Sequence, residues 1–396
     1  MRGSAKGRKR ILFIAEHIKQ AHGSALSAID VLRSIPSSYQ KYILTEHRIA
    51  NGRYLHGAIR LSCTCSVAKV RPRFIGKPVS KLFSRLYSVL FKLWLRYAEF
   101  DLVIVNGFGS RSLWEKARLI INSSNPSCVI SRESPRHFDS GDRNHSLIEQ
   151  IVFLRTFDSH IFVSRSLNAE WTELANLNEE CSHYLPNCCE EEQLLSIDCN
   201  RSSVARIRAK YAIAPDIPLI LNVGTIELRK GQQDLEVLAH HLIQSGQDFR
   251  IACVGFVGTE DGALIRKRIE ESALSNFFLF PGQTGQIQLW YQAATMLVFT
   301  SRAEAMPRTI LESMASALPI VSTNVDGIPE LISHLDNGYL YAPGDTCQMI
   351  QGVENMLKNP RWARDLGSRA RQKYINNFSK DHHAMRMREI LAAIGC

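Results

Sequence analysis

The chain reads as an α/β protein built from two doubly wound domains, and three observations predict this. Apolar runs of strand length recur with helix-length segments between several of them, the pattern of a parallel sheet with crossover helices. The 396 residues are too many for one hydrophobic core and suit two domains of ordinary size. A polar, acidic stretch after Tyr184-Leu-Pro-Asn-Cys-Cys-Glu-Glu-Glu192 interrupts the pattern midway and sets a boundary near Pro186.

Taken in order, the first half opens on a basic tail, Arg2 to Arg10, and five apolar residues, Ile11–Ala15, before Glu16. That run is too short for a signal-peptide core and reads as the first strand. A cytoplasmic protein with reduced cysteines is therefore expected. The segment from His17 to Leu32 holds a turn at Gly23-Ser24 and then a helix. Strands follow at Tyr42–Leu44, Leu102–Val105, Cys128–Ser131 and Ile161–Ser164. The second half repeats the pattern at Leu219–Val223, Ile251–Val254, Phe277–Phe280, Met296–Thr300 and Ile320–Thr323, and a last helix runs from Asp381 to Ile394. No stretch approaches the ~20 apolar residues of a membrane span. Ten cysteines, with spacings such as Cys63-x-Cys65 and Cys188-Cys189, form no paired zinc half-sites and suit small core positions.

The net charge of +10 is unevenly placed. Residues 1–186 hold 27 Lys and Arg against 15 Asp and Glu, whereas the remainder holds 21 against 23. Only the first half is therefore expected to meet an anionic partner. Residues 71–98 carry seven basic residues and no acid, with Lys81, Arg85, Lys92 and Arg96 on one side of a helical projection. Beside them lies a wide apolar face that includes Trp94. Two readings stand: a helix on an anionic membrane surface, or a domain helix with snorkelling basic residues. The charge of the first half favours the membrane, giving a peripheral protein on the inner face. No recognised nucleic-acid motif accompanies the charge.

The most informative segment runs from Phe299 to Glu330. A strand ends at Thr300, a short loop holds Glu304, and a helix opens at Pro307, where a missing N–H costs nothing. A second strand leads to another loop-to-helix turn at Asp326-Gly-Ile-Pro329. Open α/β sheets bind ligands outside the carboxyl ends of such strands, and helix starts offer N–H groups to a phosphate. Glu312 sits in the second turn of the helix, about 7–8 Å along the axis from Pro307. Two carboxylates so spaced suit two hydroxyl-rich rings joined by a diphosphate. The plainer alternative is an amphipathic helix with a solvated Glu.

Glu304 and Glu312 with seven residues between them, then Ala317-Leu-Pro-Ile-Val-Ser and Asp326-Gly-Ile-Pro-Glu, resemble the donor site of family 4 retaining glycosyltransferases. The resemblance implies the GT-B fold: two Rossmann-like domains facing a cleft, with a C-terminal helix crossing back to the first. It implies an acceptor-side domain over 1–186, with 378–396 packing onto it, and a nucleotide-sugar domain over 187–377. Glu304 would contact the transferred sugar and Glu312 the nucleotide ribose, with Met306, Pro307, Arg308 and Gly327 lining the donor side. The loop Asn222-Val-Gly-Thr-Ile-Glu-Leu-Arg-Lys-Gly231 is similar to the family's diphosphate loop, placing Gly224, Thr225, Arg229 and Lys230 at the phosphates. Thr225 stands where many members have Arg, and Arg229 is the candidate to supply the bidentate fork instead. Gly255 and Gly282 match turns on the nucleotide side. No Asp-x-Asp occurs, so metal-independent transfer without a further cofactor is expected, with Arg229 and Lys230 acting where a metal would.

The first half departs more from the family. Gly23 and Ser24 stand where two glycines usually face phosphate and acceptor, and a plain helix cap is the alternative. The family's first-domain His has no clear counterpart. Its place falls on Arg132 or Glu133, with His137 a poorer fit, and Glu133 is the nominated group. The expected activity is hexose transfer from a nucleoside diphosphate sugar to a glycan or lipid-linked glycan. A nucleotide-sugar epimerase and a non-catalytic scaffold of the same fold are the alternatives. A nicotinamide dehydrogenase fits less well, because Gly107-Phe-Gly-Ser-Arg-Ser112 lacks the third Gly of the dinucleotide fingerprint.

Overall fold

The computed structural model describes residues 8–15, 23–45, 58–62, 73–74, 77–78, 93–121, 124–135, 146–189, 192, 194 and 201–396. The chain divides into two compact units, Met1–Asn187 with His383–Cys396, and Cys188–His382.

Among the described residues the first unit holds a seven-stranded sheet. Its strands are β1 (Arg10–Ile14), β2 (Gln40–Thr45), β3 (Ala58–Ser62), β4 (Leu102–Val105), β5 (Ser127–Ser131), β6 (Ser159–Phe162) and β7 (Ser182–Tyr184). They lie in the order β3-β2-β1-β4-β5-β6-β7, every pairing parallel. Ile11 to Ala15 are wholly buried because both faces of a central parallel strand are covered, which is why the run is apolar without alternation. The helices described in this unit include α1 (Gly23–Ser34), α2 (Arg111–Arg118), α3 (Leu147–Leu154) and α4 (Arg165–Ala175). A capping box closes the start of α3, with Ser146 and Glu149 each bonding the other's backbone N–H.

In the second unit the strands are β8 (Leu219–Val223), β9 (Arg250–Val254), β10 (Phe278–Leu279), β11 (Met296–Phe299), β12 (Ile320–Thr323) and β13 (Tyr339–Tyr341). The helices are α5 (Arg201–Lys210), α6 (Asp234–Gln244), α7 (Glu260–Glu270), α8 (Ile287–Ala293), α9 (Arg308–Ala315), α10 (Ile328–Leu331), α11 (Thr346–Lys358) and α12 (Pro360–Asn377). The strand order is β10-β9-β8-β11-β12-β13, again parallel throughout. The chain builds outward from β8 through β9 to β10, then returns to the other side of β8 for β11. The carboxyl ends of β8 and β11 therefore flank a topological switch point, where two outgoing loops part and leave a crevice.

The last helix, α13 (Lys380–Ala393), starts in the second unit and ends in the first. Its Met387, Ile390 and Leu391 join Ala28, Ile29 and Leu32 of α1 and Ile11, Phe13 and Ile104 of the sheet in one apolar core. Each such side chain contributes roughly 1.5–3 kcal/mol when fully buried. A polar pair pins the same contact: Ser34 Oγ of α1 lies 2.6 Å from His383 Nδ1, both residues buried.

The structure adds β3, β7 and β13 to the strands expected from sequence and shortens Phe277–Phe280 to β10. Ser182-His-Tyr184 and Tyr339-Leu-Tyr341 are three-residue strands at sheet edges, too short to stand out by composition. Most of residues 71–98, the segment with the two membrane and domain readings, lies outside the described residues, as does His137. At its described end Leu95 is buried, and Trp94 packs tilted against Tyr42 at 5.5 Å between centroids. Among the described residues no helix is long and apolar enough to cross a membrane.

Candidate active site

Both loops at the second switch point are knitted together through their backbones. After β8 the chain runs through Gly224 and Thr225 into a short 3₁₀ turn, Leu228–Lys230. After β11 it runs from Thr300 to Pro307. Thr300 Oγ1 donates to Lys230 O at 2.7 Å, and Arg302 N donates to Arg229 O at 2.8 Å. Gly231 makes this approach feasible: its φ is +67°, and a Cβ there would stand 2.2 Å from Thr300 O. Beneath them buried Asn222 donates from Nδ2 to Val298 O at 2.8 Å, tying β8 to β11 where the strands separate.

This knitting brings together three of the residues nominated from sequence. Lys230 donates to Glu304 Oε1, Arg229 Nη1 stands 3.5 Å from the same oxygen, and Ser301 Oγ donates to it at 2.9 Å. Only 12% of the Glu304 side chain is exposed. Burial alone would raise the Glu304 carboxyl, but Lys230 and Arg229 outweigh it and hold the group below its ordinary value. Arg229 is itself held, donating to Glu227 Oε1 and, at 3.0 Å, to Ala303 O. Asp326 completes the frame. Its backbone is left-handed, φ +42°, and its Oδ2 accepts from Glu304 N at 2.7 Å, while Gly327 N donates to Glu304 O at 3.1 Å. A non-glycine residue in that conformation next to a buried carboxylate is the kind of local strain that clusters at functional sites.

Helix α9 follows directly. Pro307 does not take its first helical position, as expected from sequence, but caps it, with ψ at 123° and its carbonyl accepting from Leu311 N. The ring fixes φ and leaves ψ free, so proline is tolerated in the cap as readily as one residue later. Met306 and Pro307 are buried. Arg308 donates to Cys188 O at 2.8 Å and has its Nε 3.8 Å from Glu312 Oε1. The other Glu312 oxygen accepts from Tyr291 of α8 at 2.8 Å. Burial, and then the facing Glu312 carboxylate, push the Tyr291 phenol well above its ordinary pKa, so it remains a donor.

Glycines join the loops that follow β8 and β9. Gly224 N donates to Val254 O at 3.0 Å, and Gly255 N donates to Gly282 O at 3.2 Å. A Cβ on Gly255 would lie 1.8 Å from Gly224 O, so the loops after β8 and β9 touch through bare backbone. Thr225 lends its carbonyl to Gln232 Nε2 at 2.9 Å.

The remaining nominated residues belong to the first unit. Arg132 and Glu133 follow β5; Arg132 Nη1 donates to Asn106 Oδ1 at 2.6 Å, and the Glu133 carbonyl accepts from Trp171 Nε1 at 2.8 Å. Gly23 and Ser24 open α1. Sequence reasoning missed Ser301, Asp326, Tyr291 and Glu227. Ser301 and Asp326 lie inside the quoted motifs, but no spacing rule marks a Tyr 21 residues from its carboxylate. Among the described residues no group of three or more His, Cys, Asp or Glu is placed to hold a metal ion.

Comparison with known proteins bears on this arrangement. The N-acetyl-alpha-D-glucosaminyl L-malate synthase of Bacillus anthracis is 26% identical over 222 residues, 55% of each chain. An alpha-maltose-1-phosphate synthase of Mycobacterium tuberculosis is 29% identical over 44% of this chain and 47% of its own. The chain spans about half the length of the curated relatives it matches. Among solved structures, Anabaena HepE in complex with UDP and glucose superimposes with a TM-score of 0.77 at 18% identity, covering 96% of this chain and 99% of that one. Sucrose-phosphate synthase of Thermosynechococcus elongatus gives the same TM-score at 18% identity, covering 98% and 99%. The fold is GT-B, and residues 203–373, within the second unit, match the family model described as glycosyl transferases group 1.

Proposed function

We propose that the protein is a retaining, metal-independent glycosyltransferase that moves a hexose from a nucleoside diphosphate sugar to a glycan or lipid-linked glycan. The observation that carries this reading is the clasp of Glu304 by Lys230 and Arg229 at the carboxyl ends of β8 and β11. Cleaving a nucleotide sugar builds negative charge on the departing diphosphate. Two fixed cations beside a crevice floored by bare backbone suit that charge, and stabilise the transition state more than the ground state. On this reading the incoming diphosphate takes Lys230 and Arg229, and Glu304, released from them, accepts hydrogen bonds from the sugar hydroxyls. Glu312 holds the ribose, Gly224, Thr225 and Gly255 line the phosphate and nucleotide side, and Met306, Pro307, Arg308 and Gly327 support the helix starts.

The second unit is then the donor side and the first the acceptor side, with Gly23, Ser24 and Glu133 in the latter. The basic segment 71–98 and a cytoplasmic, peripheral location belong to the same proposal. Support for transfer comes from the group 1 match and from relatives named as sugar-transferring synthases. HepE was solved with UDP and glucose, which supports a nucleotide-sugar donor here.

The test is a thermal-shift screen of UDP, GDP and ADP and their sugars, followed by assay of diphosphate release with and without glycan acceptors. Binding of one nucleoside diphosphate and acceptor-dependent release, both surviving EDTA, are expected. Release restored only by Mg²⁺ refutes metal independence, and product formed from donor alone favours an epimerase.

A further inference from the structure

The proposed function gives Glu227 no task, although its carboxylate grips one of the two cations meant for the diphosphate. A negative charge beside an anion site weakens anion binding, so its presence there calls for a compensating effect. We propose that Glu227 is a positioning residue for the leaving diphosphate, acting by fixing the direction of the Arg229 guanidinium. This role rests on the donor-site reading above and adds to it the group that aims the arginine.

The backbone of Glu227 is clamped at both ends. Its N–H donates to Oε1 of buried Gln232 at 3.3 Å, and its carbonyl accepts from Lys230 N at 3.0 Å. Gln232 is fixed in turn, donating through Nε2 to Thr225 O at 2.9 Å. Glu227 sits where the 3₁₀ turn begins, a place from which a side chain often caps the N–H groups of the turn. It makes no such bond, and its Oε1 accepts instead from Arg229 Nη2. Arg229 Nη1 donates to Ala303 O at 3.0 Å, so the guanidinium is stretched between its own loop and the loop after β11. Neither contact involves Glu304, and both remain when the diphosphate displaces that carboxylate. An arginine side chain has several rotatable bonds, and with 33% of it exposed an unheld guanidinium spreads over many rotamers. Donors fixed in advance meet a developing charge without first losing that freedom. An amide in place of the Glu227 carboxylate keeps the acceptor, whereas a shorter or apolar side chain does not.

The probes are UDP, GDP and ADP, titrated calorimetrically against wild type, Glu227→Gln, Glu227→Ala and Glu227→Asp. Glu227→Gln keeps the acceptor and loses the charge, so the nucleotide that binds wild type is expected to bind it equally or up to about threefold tighter. Glu227→Ala loses the acceptor as well and is expected to bind about tenfold more weakly than Glu227→Gln. Glu227→Asp keeps the charge but falls one methylene short of Arg229. It is expected to weaken binding at least as much, and serves if the alanine variant does not fold. In an Arg229→Met background Glu227→Ala no longer weakens binding, since nothing is left to aim, whereas a merely structural role keeps its effect there. Equal affinities for the Gln variant and the Ala or Asp variant, or a loss that persists in the Arg229→Met background, overturn this inference alone. Failure of wild type to bind any of the three nucleotides overturns it together with the donor-site reading.

Discussion

Replacing Glu304 by Gln separates sugar transfer from diphosphate binding, because the two are expected to respond with opposite sign. The amide keeps the shape but removes the charge that faces Lys230 and stands 3.5 Å from Arg229 Nη1. Two unit charges at that distance interact by about 5 kcal/mol at an effective dielectric near 20. Desolvation of a carboxylate that is only 12% exposed offsets most of this, and Ser301 Oγ still has an acceptor in the amide oxygen. The net loss of folding stability is therefore expected near 1–3 kcal/mol. Nucleoside diphosphate binding moves the other way. Lys230 no longer has to leave a carboxylate to meet a phosphate, so affinity holds or tightens by up to about tenfold. Sugar transfer, by contrast, is expected to lose the acceptor proposed to grip the transferred ring and to fall by about 10²–10³-fold. Calorimetric titration with the diphosphate and a diphosphate-release assay on the same preparation measure both. Turnover within tenfold of wild type, or diphosphate affinity weakened more than tenfold, refutes the reasoning.

Two further outcomes follow from the same geometry. Lys230→Met removes the largest influence holding the Glu304 carboxyl below its ordinary value of 4.5. A carboxyl with a lowered folded pKa stabilises the fold above its unfolded pKa and loses that contribution as pH falls through the folded value. The stability deficit of Lys230→Met against wild type is thus largest near pH 7 and shrinks below about pH 4, read from melting midpoints across pH; a deficit constant with pH contradicts it. Gly255→Ala forces a Cβ to 1.8 Å from Gly224 O, a backbone atom with nowhere to retreat. It should cost about 2–3 kcal/mol and weaken diphosphate binding at least tenfold, and an unchanged melting curve with intact affinity argues against the shared floor.

What the sequence by itself determined is whatever local pattern encodes. The apolar runs Ile11–Ala15 and Leu219–Val223 could be assigned as strands because a central parallel strand is buried on both faces and must be apolar throughout. Glu304 and Glu312 were legible because a loop, a helix start and a fixed spacing lie within a few residues of each other. Lys230 was legible by the same logic on its own loop. That the two loops meet was not, since 74 residues separate Lys230 from Glu304, and only the return of the chain from β10 to β11 beside β8 closes that distance. Asp326 lay inside the quoted segment, but nothing there marked its bond to Glu304 N, and Tyr291 sits on another helix 21 residues from its carboxylate. Both contacts are hydrogen bonds between different elements, made only where the fold brings those elements together. The edge strands β7 and β13 likewise exist because a neighbour offers unpaired backbone groups, a condition set by the sheet and not by three residues of side chain. Local chemistry is written in the chain; the partners that tune it are chosen by topology.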